Sequence, residues 1–444
     1  MSSLSPDNSG SNRSITPFAS LRCRDFRLFW VALVISNIGT WMQMTATSWL
    51  LYELTNSPFQ LGINGAFRAL PTLSLGLFGG ALVDLYERKW ILLFAQMGLM
   101  LLAFILAILD QTGLIEVWHI YTVTIFGGIL GTVESPARQA LLPSLVPRRL
   151  LPNAIALNSL LWKGTVVLGP ALAGILIAVV GTAGAFFTNG VSFLAVVIAL
   201  FLIHASSPGT GGRDDILKDI REGLRYVSTQ KTILGVMVME ATSALFGLDS
   251  AMLTIFARDI LQIGPSGLGF LQSARGLGAI FGSALLVSTI SRVRVQGRVL
   301  VVSAILYGTS FALFGLSTYV PLSLFLIALV GAADVVWGAT RNTVLQLKSP
   351  DAMRGRVMGI FHLTSRGLHP LGQTRTGMAV PLIGAGGTAF LGGVLVAAVA
   401  LLTVWRTPSV ALFSIEDEKT DHHAPQPRDL SAESISELGG PPRV

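Results

Sequence analysis

The sequence predicts an all-α polytopic membrane protein, with twelve transmembrane helices in two pseudo-symmetric six-helix bundles. Three observations predict it. Hydrophobic residues make up 52% of the 444-residue chain and charged residues only 12%, about half the charged share of an ordinary soluble domain. Apolar runs near the ~20 residues needed to cross a bilayer core recur twelve times between short polar breaks. Two segments of the first half recur in the second at almost constant spacing.

The polar start, residues 1–26, has no charged stretch leading into a short apolar one, and the first apolar run is too long for a cleaved signal. It reads as a cytoplasmic N-terminal tail. Candidate spans follow at 27–52, 60–83, 90–110, 118–141, 154–180, 184–205, 232–257, 267–291, 298–317, 321–346, 356–382 and 386–406. The polar linker 206–231, "SSPGTGGRDDILKDIREGLRYVSTQK", divides them into bundles at 27–205 and 232–407. In its second half Ile216, Ile220, Leu224 and Val227 share one helical face, the pattern of a short amphipathic helix on the cytoplasmic surface. Residues 408–444 are polar and rich in Pro, Ser and Glu, which predicts a disordered cytoplasmic tail.

The formal net charge is +7. In a soluble chain that would suggest nucleic acid. Here the basic residues fall in alternate breaks: Arg22, Arg24 and Arg27, then Arg88 and Lys89, Arg148 and Arg149, five in the linker, Arg292 and Arg294, and Lys348 with Arg354. The intervening breaks, around "TNSPFQ", "DQTGLIEVW", "GTAG" and "STYVP", carry none; Arg258 is the main exception. This is the positive-inside pattern. It predicts both termini in the cytoplasm, in a bacterial inner or plasma membrane, with the lipid bilayer and no nucleic acid as partner. Cys23 is the single cysteine, so no disulfide or Cys-rich metal site is expected. No phosphate-binding G-x-x-x-x-G-K-[ST] loop occurs, and the scattered histidines form no catalytic or metal set. No cofactor and no enzymatic activity are expected.

"SPFQLGINGAFRAL" (57–70) matches "GPSGLGFLQSARGL" (264–277), pairing Arg68 with Arg275 at an offset of 275 − 68 = 207; Arg138 to Pro147 matches Arg341 to Pro350 at 341 − 138 = 203. Two six-span repeats suggest alternating access around a substrate site near the midplane.

The stretch "FGGALVDLYERKWILL" (78–93) interrupts two apolar runs with charge. Gly80, Asp84, Arg88 and Lys89 resemble the G-x-x-x-D-[RK]-x-G-[RK]-[RK] signature of the major facilitator superfamily, with Leu85 and Glu87 as departures. "PARQALLPSLVPRRLLPNAIALNSL" (136–160) and "GPALAGIL" (169–176) resemble its transmembrane secretion effector, or enterobactin-exporter-like, branch of drug:proton antiporters. The resemblance implies a secondary transporter, acting as a monomer, that exports a small amphipathic molecule (drug, siderophore or related metabolite) in exchange for protons. Uptake or flipping of a metabolite or lysophospholipid is the alternative for the same fold. It also implies that the charges at 84–89 latch the cytoplasmic ends together, against neighbours such as Arg354 and Arg356.

Several side chains fill in this picture. Glu134 and Arg138 lie four apart, an intrahelical pair, and with the repeat mate Arg341 they are assigned to the cytoplasmic gate. Gly169, Pro170 and Gly174 in span 5 and Gly278 and Gly282 in span 8 suit a close-packed hinge seam between the two halves. Asn37, Trp41, Met44 and Ser48 follow i, i+4, i+7, i+11 and read either as a cavity wall or as a packing face. Arg68 precedes Asp84 by 16 residues, about 24 Å along a helix. It and Arg275 suit an anionic or polar-oxygen substrate, or else pair with carboxylates or snorkel outward. Asp334, mid-span between apolar neighbours, is the first choice for the coupling proton. Glu240 and Asp249 lie nine apart, about 180° around a helix, so only one of them, Asp249, is expected to face the cavity. Lys163 reads as cavity or gate. His362, Arg366, His369 and Arg375 are unusual in span 11, but no role follows from their spacing.

Overall fold

Proline, asparagine and glycine punctuate the chain into long helices. The computed structural model describes residues 18–205, 216–289 and 295–414, apart from the side chains of 77–81, 84, 216–220, 352 and 366. A 3-10 turn, Ala19–Arg22, leads into α1 (Arg24–Thr55). Asn56, left-handed at φ 47°, ends α1, and Pro58 opens α2 (Pro58–Leu85); proline suits a first helical position because that N–H has no partner within the helix. Next come α3 (Arg88–Gln111), α4 (Val117–Leu141), α5 (Leu151–Leu202) and the linker helix α6 (Ile216–Thr229). The second half holds α7 (Lys231–Phe246), α8 (Ser250–Ile255) running into a π-helical turn Phe256–Ile260, α9 (Gly264–Thr289), α10 (Gln296–Leu316), α11 (Val320–Lys348), α12 (Asp351–Arg406) and α13 (Pro408–Ala411).

Two helices are double. At 52 and 56 residues, α5 and α12 are far longer than a bilayer requires. Each turns back at one glycine with positive φ: Gly181 at 76° and Gly384 at 74°. Only glycine adopts that conformation without a Cβ penalty. The two turns lie 384 − 181 = 203 residues apart, the same offset that relates Arg138 to Arg341. Counting each arm, six rods precede α6 (α1–α4 and the arms of α5) and six follow it (α7 with α8, α9–α11 and the arms of α12). Eight stretches among the described residues are long and apolar enough to cross a membrane, including both double helices. α2 and α4 carry polar and charged residues, among them Asn64, Arg68, Glu134 and Arg138, that line an internal cavity.

The buried apolar side chains form three groups. One draws on both halves: Met42, Leu51 and Phe186 pack in the same cluster as Leu253, Phe256, Phe314 and Ile327. The second belongs wholly to the first half (Phe26, Phe29, Leu92, Leu141, Leu200) and the third wholly to the second (Val236, Leu300, Trp337, Val344, Phe361). At one end of the molecule, which holds the turns at Asn56 and Gly181, the halves therefore share a core. At the other, which holds Arg88 and Arg148 and is called here the basic end, each half has its own.

Lipid offers no hydrophobic force between helices, so contact depends on close approach and on hydrogen bonds between rods. The halves meet along two seams, α2 on α12 and α5 on α9. A Cβ on Gly62 would lie 2.9 Å from Gly377 Cα, and one on Gly269 would lie 3.1 Å from Gly174 Cα. The hinge glycines divide unexpectedly. Gly174 is on the α5–α9 seam, with the Pro170 carbonyl beside Gly269, whereas Gly169 meets Trp41 of α1. Gly278 and Gly282 do not face α5: they pack on the Ala328 and Ala332 carbonyls of α11, inside their own half. The span-8 residues that do face α5 are Gly269, Ser273 and Gly276.

Two further expectations change. Span 7 is not continuous, since α7 stops at Phe246 and Asp249 caps α8 by accepting from Met252 N at 2.9 Å. The final segment is not free from Pro408 onward: Val410 and Phe413 are buried, and Gly297 N donates to Phe413 O at 3.0 Å. α6 forms as expected and packs on α12 through Val227, Gly223 and a Glu222–Arg356 ion pair of 2.9 Å. The tails 1–17 and 415–444, the linker stretch 206–215 and Arg292 and Arg294 lie outside the described residues.

Close approach predicts a sharp contrast. A Cβ on Gly331 would fall on the Arg275 carbonyl oxygen, while one on Gly355 would meet nothing within 4 Å. Gly331→Ala should lower unfolding stability in detergent by about 1–3 kcal/mol or more. Gly355→Ala should leave it unchanged or raise it by ~0.5–1 kcal/mol.

Candidate functional site: a cavity between the halves

A cavity of about 970 Å³ lies between the bundles and runs from the shared core toward the basic end, where Gln139, Gly359 and His362 are exposed. The first half supplies most of its wall. The α1 stripe Asn37, Trp41, Met44 and Ser48 lines it, along with Gln43 between them. So do Asn64, Arg68 and Thr72, spaced four apart on α2, and Glu134 and Arg138 on α4. The second half adds Asp249, Arg275, His362, His369 and Gln373. Lys163 is exposed and does not line the cavity.

Most charges on or near this wall are matched by design of the surrounding helices. Arg138 lies 3.2 Å from Glu134 and 4.5 Å above the Trp162 ring of α5. Its repeat mate Arg341, partly buried and not on the cavity wall, is paired with Glu240 of α7 and lies 4.7 Å from the Phe361 ring. Arg275 Nη2 lies 3.1 Å from Asp334 Oδ2, so the carboxylate expected to sit among apolar neighbours has a guanidinium instead. That partner comes from α9, and the sequence around Asp334 contains no trace of it.

Asp249 is anchored three ways: by Met252 N, by Thr376 Oγ1 at 2.5 Å and, at 3.9 Å, by Arg375. Because α7 is broken between Glu240 and Asp249, their angular separation on a continuous helix has no bearing; Asp249 reaches the cavity as a helix cap. The break also explains Arg375. Its Nε donates to Leu245 O at 3.1 Å and its Nη2 to Phe246 O at 3.4 Å, satisfying carbonyls that the end of α7 leaves free. Leu248 N, in the break itself, donates to Tyr307 Oη at 2.9 Å.

Arg68 differs from the rest. Its Nη2 lies 3.2 Å from Met44 Sδ, and no carboxylate among the described residues pairs with it.

The cavity is closed at the shared-core end by contacts between the halves. Thr45 Oγ1 donates to Gln272 Oε1 at 2.9 Å. Farther out, Arg258 Nη1 donates to Tyr52 O at 2.6 Å and Nη2 to Asn56 Oδ1 at 2.7 Å, and Tyr52 Oη bonds the Asp259 carboxylate. Arg258 is the main exception to the charge alternation, and that irregularity is the signal by which sequence reasoning could have found this clamp. Asn189, which donates to Gln43 Oε1 at 2.5 Å across the cavity wall, had no such signal.

Of the charges resembling the family signature, Lys89 opens α3 with its Nζ donating to Ile203 O at 2.6 Å, and Arg88 stands beside it. Gly80 and Asp84 fall in the last turns of α2, but their side chains lie outside the described residues, as does that of Arg366. Arg354 pairs with Asp351 at 2.7 Å.

Removing one member of a buried pair strands the other. Arg341 is 12% exposed and Glu240 3%. Glu240→Gln should therefore cost about 3–5 kcal/mol, read as a fall in Tm of the purified protein, while Arg68→Gln, with no carboxylate to strand, should leave Tm unchanged or raise it.

Comparison with known proteins agrees with this architecture. The family pattern of transmembrane secretion effectors matches residues 15–441. The enterobactin exporter EntS of Shigella boydii serotype 18 is 27% identical over 389 residues, covering 85% of this chain and 91% of that one; EntS of Escherichia coli O81 is 26% identical over the same lengths. Among solved structures, a POT family transporter in complex with a thioalcohol-conjugated peptide superposes with a TM-score of 0.70 at 11% identity, covering 87% of this chain and 96% of that one. An inward-facing, unoccupied bacterial homolog of the lysosomal transporter Spinster gives 0.62 at 14% identity, covering 88% and 97%. Twelve rods in two repeats, a cavity between them and a family match along nearly the whole chain lead to one conclusion: the protein is a transporter of the major facilitator type and belongs to the transmembrane secretion effector family.

Proposed function

We propose that the protein exports a small amphipathic molecule by alternating access, driven by proton influx, with the basic end in the cytoplasm. One observation carries this reading: the halves share a core at one end and have separate cores at the other. Two rigid bodies joined in that way can rock, closing one end as the other opens. The basic residues of the separated end point it toward the cytoplasm, so the form described here is loaded from inside. The named relatives are exporters of enterobactin, which makes a siderophore or similar secreted metabolite the first substrate class to examine. Uptake or flipping is the competing direction. A single chain encloses the cavity, so the monomer is the working unit, with residues 27–205 and 232–407 as its moving bundles and 206–231 as the tether.

In the outward-open form the basic ends meet. The latch assigned to Gly80, Asp84, Arg88 and Lys89 then forms, with the neighbouring Glu134–Arg138 pair and Arg341 beneath it. Arg354 and Arg356 exchange partners from Asp351 and Glu222 to reach it. Proton coupling falls to Asp334: protonation removes the charge that holds Arg275, changing the charge of the cavity wall between inward and outward journeys.

Inside-out vesicles test the reading. Substrate should accumulate in them when the lumen is acidified, and collapse of the gradient should abolish accumulation; uptake driven in the opposite direction would favour the competing reading. Asp334→Asn should remove gradient-driven accumulation yet preserve substrate–substrate exchange, and unchanged accumulation would take Asp334 out of the coupling step. Asp84→Asn should slow transport several-fold at normal expression.

A further inference from the structure

Resting on the transport reading, we propose that the substrate is an organic anion with a flat apolar body, and that Arg68 is the residue that selects its charge. The inference comes from which charge on the cavity wall lacks a counter-charge. Glu134 and Arg138 neutralise each other, Asp334 holds Arg275, and Asp249 is capped by Met252 N, Thr376 and Arg375. Arg68 is the remaining charged lining residue among those described, and its hydrogen-bond partner is the Met44 thioether at 3.2 Å.

A thioether is a weak acceptor, so it leaves the guanidinium's five donors almost unused. A cation without a charged partner is costly within the membrane span of a protein, and Arg68 is partly buried there. Its presence on the wall of a transport cavity, near the closed end where a cargo must stop, is accounted for by a cargo that brings the missing negative charge. The guanidinium fork suits a carboxylate or a similar two-oxygen anion, which it binds through two parallel hydrogen bonds. Beside it, Trp41 and Met44 of α1 present a flat ring and a polarizable chain to the same space. Such a surface accepts an aromatic or other planar apolar body without demanding one shape. Asn64 and Thr72, one turn to either side of Arg68 on α2, supply neutral polar groups for further oxygens.

The test uses a matched series on the purified full-length protein: 2-naphthoate, 2-naphthamide and 2-naphthylmethylamine, which share a ring system and differ in charge. The wild type should bind the carboxylate at least tenfold more tightly than the amide, with the ammonium weakest. Arg68→Met should erase that preference by weakening the carboxylate alone, and Arg68→Lys, which keeps a point charge, should retain part of it. Equal affinities, preference for the ammonium, or no measurable binding of the carboxylate to the wild type would overturn the inference, and those results need no variant to fold. An unchanged preference in folded Arg68→Met would overturn it as well. If the carboxylate preference depends on Arg68 but naphthoate is not moved into proteoliposomes, the inference stands and the transport reading is the one in difficulty.

Discussion

The central constraint is the unequal joining of the two halves. At one end Phe256, Phe314 and Ile327 of the second half pack in the same core as Met42, Leu51 and Phe186 of the first. At the other, each half is finished separately around its own aromatic and aliphatic side chains. Everything functional sits with respect to that asymmetry. The cavity runs toward the end where the cores part, the glycine seams Gly62–Gly377 and Gly174–Gly269 lie where they merge, and the Arg258 clamp ties the π-helical turn to the end of α1. Protein interiors are close-packed and do not deform continuously. The rocking proposed above is accordingly an exchange between two discrete arrangements rather than a graded opening.

Charge is placed with the same economy. Ionisable groups inside a bilayer are tolerated when they face a partner or a cavity, and here partners are drawn from neighbouring rods: Glu240 for Arg341, Asp334 for Arg275, Thr376 and Arg375 for Asp249. Such pairs fix the register of one helix against the next. Among the described charged residues that line the cavity, Arg68 is the exception. An anion leaving a cell with an inside-negative potential also gains about 2.3 kcal/mol per charge per 100 mV, so an anionic cargo would move outward with the field.

Much of this was legible in the sequence because membranes impose simple rules. The apolar runs located the rods, and the breaks at "GTAG" and at 383–385 coincide with the turns at Gly181 and Gly384. The i, i+4, i+7, i+11 stripe of α1, Asn37, Trp41, Met44 and Ser48, lies along the cavity, and its Trp41 also packs on Gly169 of α5. What failed shares one cause, that partners come from other helices. Nothing near Asp334 announces Arg275, sixty residues away less one. Nothing near Gly278 reveals that Ala328 lies over it. The break in span 7 was invisible because Gly247 and Asp249 sit in an apolar run, and the groups that stabilise it, Arg375 and Tyr307, come from α12 and α10.

The most direct measurement is the pair of distances across the two ends in one preparation. With Cys23 replaced by Ser, spin labels at Thr112 and Tyr319 report the shared-core end, and labels at Arg149 and Asp351 report the basic end. Removing the clamp with Arg258→Ala should lengthen the first distance and shorten the second, relative to the unaltered protein. Distances that lengthen together, or a basic end that stays apart when the clamp is gone, would contradict the rocking of two bodies about a common core.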